Sequence, residues 1–332
     1  MENFKCLNLD ALRYNLACYQ SKKVVLMVKS NAYGHGVKEI VSLTSAYVDA
    51  FGVVSEREAE VVRNFCDKRI IIFAPATNLN ACRDFEIIVD NEEDLRKAID
   101  CGCKIHLAIN VGMNRFGTKS EIVLKSMNNI LEANEVELKS IYTHFPDTRD
   151  PTRTKRQYER FCNLRKLISR PAPVCFGGSG IYNYPFSFDA IRLGIGAYGY
   201  EKNRMPVMSI VSHITKIFYA KSGEYIGYGK KYRLKKAGFF GVVNVGYGDG
   251  LMRALSQNFS VEINGKRFEA VGNICMDAFF VKIDKSVSVG DKVLVMSDAS
   301  YLAKRAKTIP YEILTNFSNL RGTVKKITSN KK

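Results

Sequence analysis

One side chain whose place in the sequence could give it chemistry is a lysine at the end of an apolar run. In VVLMVKSNAYGHG, residues 24–36, five apolar residues lead into Lys29, and Ser, Asn and two Gly follow it. A short continuous apolar run is typical of a parallel strand that is covered on both faces, and the turn formers then end it. Lys29 is therefore predicted at the C-terminal end of a buried strand. A lysine desolvated there has a lowered pKa and can condense with an aldehyde.

Further polar side chains occur at or near the ends of other apolar runs. They are Asn110, Arg115, His144, Ser179 and Arg192. Any one of them can be an ordinary polar residue at a strand edge, and for Arg115 or Ser179 alone that interpretation is the simpler one. Because the reactive groups of barrel enzymes cluster at the C-terminal ends of the strands, their occurrence together with Lys29 predicts one site at a barrel rim.

Apolar strand runs alternate with amphipathic helical stretches over the first two-thirds of the chain. The predicted strands are 23–29, 49–54, 69–75, 86–91, 104–112, 138–145, 173–180 and 190–199. Segments between them, such as VLKSMNNILEAN, have apolar residues at helical spacing. This rhythm predicts an α/β fold, a (β/α)8 TIM-like barrel over residues 1–204. A doubly wound open sheet is the alternative, but eight repeats without a G-x-G-x-x-G turn favour closure.

The pattern changes near Met205. Strand-like runs such as GFFGVVNVGY and KVLVMSD then follow one another, separated by short turns that contain Gly and Asp. Such spacing is typical of antiparallel strands. The sequence therefore predicts that the barrel is followed by a C-terminal, mostly antiparallel β domain over residues 205–332.

Composition narrows the class of protein. Of the 332 residues, 46% are hydrophobic, enough for a large core, yet no run approaches the roughly eighteen apolar residues of a membrane span. The nine cysteines show neither zinc nor thioredoxin spacing, so we expect free thiols, no metal site and a cytosolic location. The net charge of +17 is dispersed, and we expect it to be solvated surface rather than a nucleic-acid or membrane contact.

Six short motifs carry a resemblance to a known family. VKSNAYGHG is very similar to the pyridoxal 5'-phosphate (PLP) attachment motif of the alanine racemase family. The other five resemble further motifs of that family: NVGMNRFG (110–117), THFPD (143–147), IRLGIGAYG (191–199), GYGDG (246–250) and GNICMD (272–277). In this order and at these spacings, they are similar to a fold-type III PLP-dependent amino acid racemase along most of the chain.

The resemblance implies a cofactor site in the barrel. Lys29 would bind PLP covalently, His144 would pack against the pyridine ring, and Arg192 would face the pyridine nitrogen. The phosphate would be held by Tyr33, Ser179, Gly194 and Ile195. Because a guanidinium does not give up its proton, the ring nitrogen would stay largely unprotonated. The cofactor would then be a weaker electron sink, which disfavours transamination.

The resemblance also implies a two-base racemisation. Lys29 would serve one face of the substrate Cα and Tyr247 the other, while Arg115 would bind the substrate carboxylate. In the family this tyrosine comes from the partner subunit, as does the methionine matched by Met276. The active unit would therefore be a homodimer with shared sites, and its substrate L- or D-alanine.

Three positions depart from the family pattern. Ala108 replaces a lysine that becomes carbamylated and orients the arginine matched by Arg115. Cys175 replaces a histidine that would steady Arg192. In SNLRGTV, Asn319 replaces a tyrosine that narrows the entrance, and its shorter polar side chain leads to the hypothesis that L-serine, or a broader set of small amino acids, competes with alanine.

Two further functions remain as alternatives. Basic amino acid decarboxylases also join a barrel to a β domain, but they place a carboxylate at the pyridine nitrogen, and Arg192 argues against that. A non-enzymatic PLP carrier resembles the barrel alone, so GYGDG and GNICMD argue against it. The preferred interpretation is a PLP-dependent alanine racemase.

Overall fold

The computed structural model describes residues 2–76 and 78–328. It contains two compact units. The barrel unit consists of Asn15–Lys29 and Val37–Ala197, and the β unit consists of the residues up to Tyr14, Ser30–Gly36 and those from Tyr198 onward. The first two elements are β1 (Asn3–Asn8) and α1 (Leu9–Ala17). A domain boundary near residue 205 stays a prediction.

The barrel unit contains eight parallel strands that close on themselves. They are β2 (Lys23–Met27), β3 (Ala50–Val53), β4 (Arg69–Ile72), β5 (Glu86–Val89), β6 (Lys104–Ala108), β7 (Leu138–His144), β8 (Val174–Gly177) and β9 (Ala190–Leu193). Closure is visible at Val25, which pairs with Ala50 on one side and with Arg192 on the other. The predicted TIM-like barrel is confirmed. Its strands are continuously buried runs, as parallel strands with two covered faces should be.

Helices cover the strands at the intervals that the apolar spacing predicted. They are α2 (Val37–Thr44), α3 (Glu56–Arg63), α4 (Glu92–Asp100), α5 (Glu121–Ala133) and α6 (Pro151–Arg165). Several begin at a side-chain cap: Ser55 accepts a hydrogen bond from the backbone N–H of Glu58, and Asn91 accepts one from Asp94. Such caps satisfy N–H groups that have no partner within the helix, so each helix starts at a defined distance from the preceding strand end.

The β unit is built on one eight-stranded sheet. The unit also contains α7 (Ala299–Ala306), α8 (Pro310–Asn316) and a separate two-stranded sheet of β11 (Tyr225–Ile226) and β12 (Tyr232–Arg233). The later strands of the eight-stranded sheet are β10 (Met208–Ala220), β13 (Gly238–Val243), β14 (Ser260–Ile263), β15 (Lys266–Val271), β16 (Phe279–Ile283), β17 (Lys292–Met296) and β18 (Gly322–Ile327). The order is β13-β16-β15-β14-β17-β10-β1-β18, and β13 also pairs with β10. The expected mostly antiparallel β domain is confirmed.

Strand β1 was not predicted from the sequence. It pairs antiparallel with β10 and parallel with β18, so the one parallel pair of this sheet joins residues near opposite ends of the chain. Within residues 2–76 and 78–328, no helix is long and apolar enough to cross a lipid bilayer.

Candidate active site

Lys29 lies two residues after the end of β2 and is half-buried. Burial lowers the pKa of its amine, and the positive charges of Arg115 and Arg192 lower it further, while Glu58 acts in the opposite direction. Loss of hydration and repulsion by nearby cations both disfavour an ammonium ion. The lysine is thereby prepared to react as a neutral amine, as the sequence predicted.

Arg192 and His144 contact each other beside this lysine. The Arg192 Nη2 donates to His144 Nδ1 at 3.1 Å and to the backbone oxygen of Thr143 at 3.2 Å. Burial holds the pKa of His144 well below its usual range, and the charges of Arg192, Arg115 and Lys29 lower it further. His144 is therefore a neutral ring that accepts a hydrogen bond at Nδ1.

Gly177, at the end of β8, makes this contact possible. A Cβ atom added there would lie 2.1 Å from Arg192 Nη2 and 2.4 Å from His144 Nδ1. Contacts that short cannot occur, so any larger residue would separate the two side chains. Sequence reasoning missed this position, although the two consecutive glycines of CFGGSG were a signal that the backbone is closely approached there.

A second group of donors lies in the turns after β8 and β9. The Ser179 hydroxyl accepts a hydrogen bond from the backbone N–H of Gly196 at 3.2 Å. A Cβ atom on Gly196 would lie 2.9 Å from the Ser179 Cβ. The sequence predicted a strand as far as residue 199, but β9 ends at Leu193. The buried residues Gly194 and Ile195 are therefore in a turn, because apolar character here reflects burial rather than extended backbone.

Arg115 lies on an exposed part of the loop after β6. Asn110 shapes this loop, since its side-chain oxygen accepts hydrogen bonds from the backbone N–H groups of Gly112 at 2.8 Å and Asn114 at 3.2 Å. Ala108 is buried and apolar. In the part of the chain that the structure describes, no residue makes a hydrogen bond or ion pair with the Arg115 guanidinium. Among those residues, the structure therefore gives Arg115 no charged or hydrogen-bonding partner in place of the lysine that the resemblance led us to expect at position 108.

Tyr33 lies in a left-handed turn in the β unit. Ser30, Asn31, Ala32 and Tyr33 all have φ between 52° and 54°. Each non-glycine residue in this region costs roughly 1–2 kcal/mol, so the surrounding structure must stabilise the turn. Runs of such residues are found mainly where function requires them.

Hydrogen bonds from two buried side chains stabilise that turn. His35 Nδ1 lies 3.0 Å from the backbone oxygens of both Ala32 and Tyr33, and Lys5 Nζ donates to the oxygen of Gly34 at 2.6 Å. Burial lowers the pKa of His35 to about 3, so His35 is neutral and donates from Nδ1. The Tyr33 ring packs 5.0 Å from that of Tyr198.

Tyr247 and Met276 lie on two loops of the β unit that are hydrogen-bonded to each other. The Tyr247 N–H donates to the oxygen of Cys275 at 3.0 Å, and the Gly248 N–H donates to that of Met276 at 2.9 Å. A Cβ atom on Gly246 would lie 2.2 Å from the Met276 oxygen, so glycine is required for this approach. The side chains of Tyr247 and Met276 themselves are 44% and 56% exposed.

An ion-pair network supports these loops, and sequence reasoning missed it. The fully buried carboxylate of Asp249 accepts from Arg321 Nε and Nη2, both at 2.7 Å, and from the Gly246 N–H at 2.9 Å. Arg321 Nη1 lies 2.9 Å from Asp277. Asn319, which is exposed, ends the short helical turn Phe317–Asn319 just before Arg321. An acid enclosed by the glycines of GYGDG was the available signal for a buried carboxylate.

The predicted site residues thus fall into two sets. Lys29, Arg115, His144 and Arg192 interact electrostatically within the barrel unit, where Ser179, Gly194 and Ile195 occupy neighbouring turns. Tyr33, Tyr247, Met276 and Asn319 belong to the β unit.

Comparisons with known proteins agree with both units. The family model for the alanine racemase N-terminal domain matches residues 7–202, and that for the C-terminal domain matches residues 207–325. An alanine racemase of Ligilactobacillus salivarius is 29% identical, over 94% of this chain and 95% of its own length. The solved alanine racemase of Bacillus anthracis with bound L-Ala-P is 26% identical with a TM-score of 0.89, covering 99% of this chain and 95% of that one. The enzyme from E. faecalis, at 24% identity, 98% coverage of each chain and a TM-score of 0.91, shows the same fold.

Proposed function

Because the chain belongs to the alanine racemase family, we propose that it interconverts L- and D-alanine by moving the Cα proton between Lys29 and Tyr247. It is an isomerase, and PLP is its cofactor. The observation that carries the proposal is the convergence at the barrel rim of a lysine with a lowered pKa, two arginines and a neutral histidine. That set can bind an aldehyde and two anionic groups.

The residues present fit PLP. Lys29 would supply the amine for its aldehyde, and Gly177 and Gly196 let Arg192, His144 and Ser179 approach the backbone at the barrel rim, where a Cβ atom would clash with them. Ser179 and the backbone N–H groups of Gly194 and Ile195 would hold the phosphate, together with the Tyr33 phenol. His144, neutral and flat, would pack against the pyridine ring, and Arg192 would donate to its nitrogen. When bound, PLP withdraws electrons from the substrate Cα and so acidifies its proton.

The chain's own groups would then direct the proton. Lys29 is suited to take it from one face because its amine pKa is lowered. Tyr247 would return a proton to the opposite face, and Arg115 would hold the substrate carboxylate by charge-assisted hydrogen bonds. Because Arg192 cannot release its proton, the pyridine nitrogen would receive none from it, which limits the loss of substrate to transamination.

We further propose a homodimer in which Tyr247 and Met276 complete the partner's site. Their exposed side chains on loops of well-defined geometry support this, because an exposed aromatic and a methionine are common at interfaces. A cytosolic location is proposed as well, in keeping with nine cysteines that are all free thiols.

The test is to incubate the PLP-loaded protein separately with L-alanine and L-serine and to follow both enantiomers by chiral chromatography. Faster formation of D-alanine is the expected result. Faster formation of D-serine would mean that serine, and not alanine, is the preferred substrate. If PLP is bound and neither L-alanine nor L-serine is converted, the racemase proposal is contradicted.

A further inference from the structure

The Arg192 guanidinium lies in the corner formed by two aromatic rings that meet edge to face. Its central carbon is 4.4 Å from the centroid of Phe73 and 4.5 Å from that of Tyr142. Both aromatic residues are buried, as is Arg192 itself. The face of an aromatic ring is electrically negative and attracts a cation, and the attraction grows when water is excluded. The two rings therefore favour the charged guanidinium and restrict where it can lie.

Phe73 owes its place to the barrel strands. It follows β4, and its backbone N–H donates to the oxygen of Val53 at 2.8 Å. On the neighbouring strand, a Cβ atom added to Gly52 would lie 3.0 Å from the ring carbon Cε2 of Phe73. Glycine thus leaves the space that the ring occupies. The Phe73 ring is held by tight packing rather than by a polar contact.

Tyr142 completes the pair from β7. Its ring meets that of Phe73 edge to face, with centroids 5.5 Å apart and planes at 83°, which is a favourable arrangement for two aromatic rings. Burial raises the pKa of the Tyr142 phenol, so it stays neutral. Among residues 2–76 and 78–328, nothing hydrogen-bonds to its hydroxyl. What Tyr142 offers Arg192 is therefore the face of its ring.

Cys175, the residue expected to leave Arg192 with one partner fewer, is a buried thiol on β8 whose pKa burial raises to about 11. A neutral thiol is a weak hydrogen-bond acceptor and a poor substitute for an imidazole. The contacts that the structure gives Arg192 include the two rings, His144 and the oxygen of Thr143.

We propose that Phe73 is a positioning residue that, together with Tyr142, clamps the Arg192 guanidinium and takes over the steadying role that Cys175 cannot fill. This inference rests on the proposed function, because positioning Arg192 matters only if its guanidinium faces the pyridine nitrogen of PLP. A fixed Arg192 would keep an N–H group available to the pyridine nitrogen without protonating it. A loosened Arg192 would bind PLP less well and let more substrate be diverted to transamination.

The diversion has a measurable product. In it, alanine and the cofactor aldehyde become pyruvate and the cofactor amine, pyridoxamine phosphate, with no other reactant. The partition ratio is defined here as molecules of pyridoxamine phosphate formed per racemisation event. Loss of general packing slows both reactions, whereas loss of Arg192 positioning changes their ratio.

The experiment compares Phe73→Leu with Phe161→Leu. Phe161 is a matched control because it is also a buried phenylalanine of the barrel unit, on α6, where it packs edge to face 5.0 Å from Phe176. Two readouts are taken: PLP affinity of the cofactor-free proteins by equilibrium dialysis, and the partition ratio by chromatography of the released cofactor. We expect Phe73→Leu to weaken PLP binding about fivefold and to raise the partition ratio about tenfold, and Phe161→Leu to change each less than twofold.

A conservative variant should restore the positioning of Arg192. Phe73→Tyr keeps the ring face and should lie nearer to the unaltered protein than Phe73→Leu does. If Phe73→Leu does not fold, Phe73→Met, of similar volume and without a ring, takes its place. A partition ratio within twofold of the unaltered protein in the ring-less variant overturns the inference. Absence of PLP binding or racemisation in the unaltered protein would instead overturn the proposed function.

Discussion

In the barrel unit, Arg192 and His144 touch side chain to side chain, whereas in the β unit Tyr247 and Met276 are held through the backbone. Arg192 contacts His144 directly, in a gap that exists because residue 177 is glycine. Tyr247 and Met276 are placed by hydrogen bonds between their loops, and their side chains extend into solvent. The first arrangement depends on steric fit and the second on loop geometry.

The two regions also differ in charge. Burial lowers the pKa of the Lys29 amine, and the like charges of Arg115 and Arg192 lower it further. In the β unit, the Asp249 carboxylate is balanced by Arg321, which also pairs with Asp277. An excess of positive charge suits a site that must bind a phosphate and a carboxylate, while a balanced network suits a support. Under the proposed function, the barrel region would bind the anionic groups, and the Asp249 network would hold the Tyr247 loop in place.

The largest effect is expected when the two regions are separated between two chains. Lys29→Ala and Tyr247→Phe should each lose at least about a thousandfold in kcat, since each removes a group acting in the transition state. If a dimer shares its sites, a heterodimer of the two variants contains one intact site. When equal amounts of the two variants are mixed, unfolded and refolded together, half of the dimers should be heterodimers. The mixture should then recover about a quarter of the normal activity. Restoration that does not exceed the sum of the separate variants would contradict shared sites.

A smaller effect is expected from Gly177→Ala, which tests the steric fit of the barrel region. The added methyl would overlap Arg192 and His144, and overpacking of this kind costs about 1–3 kcal/mol. We expect PLP affinity to fall between about tenfold and a hundredfold, measured by dialysis. Gly238→Ala is the control, because a Cβ atom at Gly238 meets nothing within 4 Å. Equal affinities for the two variants would show that the clearance at residue 177 does not matter.

The barrel could be predicted well because each of its strands and helices has a recognisable pattern within its own few residues. Runs such as RIII and periodic helices are short-range signals, and each strand pairs with the next one along the chain. Strand β1 escaped prediction because its partners, β10 and β18, lie roughly two hundred or more residues away. A local pattern carries no information about so distant a pairing.

The candidate site was predicted in part for the same reason. Reactive residues could be named from strand ends and motifs, but their supports could not. The bond between Asp249 and Arg321 spans 72 residues of sequence, and the left-handed turn at Ser30–Tyr33 contains no glycine to announce its positive φ angles. Phe73 looked like an ordinary core residue, because only the folded barrel shows that its ring faces Arg192.

A moderate effect is expected from Asp249→Asn, which tests the ionic support of the β unit. Removing the Asp249 charge leaves Arg321 paired with Asp277 but without its buried partner, and because Arg321 is half exposed we expect a loss of ~1–3 kcal/mol in the free energy of unfolding. Asp284→Asn is the control, since its partner Lys266 and Asp284 itself are both exposed, and such pairs contribute little. Chemical denaturation of both variants gives the comparison.

The same network predicts a pH dependence. Burial alone would raise the pKa of Asp249, but hydrogen bonds from Arg321 and from the Gly246 N–H lower it overall. A carboxyl whose folded pKa is depressed adds stability above its unfolded pKa, near ~3.9, and that contribution is lost as the pH falls through the folded value. The difference in unfolding free energy between the unaltered protein and Asp249→Asn should therefore shrink below about pH 4. A difference that is constant from neutral pH to pH 3 would argue against an ionised Asp249.

The smallest effect is expected from Asn319→Tyr, which refines the comparison at the exposed end of the β unit. Asn319 is exposed and comes two residues before Arg321, whose bond to Asp249 fixes the loop of Tyr247. A tyrosine there is larger and removes an amide that could hydrogen-bond a serine hydroxyl. Since one small group in a pocket changes discrimination by about 1–3 kcal/mol, we expect the serine-to-alanine ratio of kcat/KM to fall several-fold, and Asn319→Gln, which keeps the amide, to change it less. An unchanged ratio in Asn319→Tyr would mean that this position does not select the substrate, and that selection occurs in the barrel region, where a neutral His144 and the exposed Arg115 remain as the groups to vary.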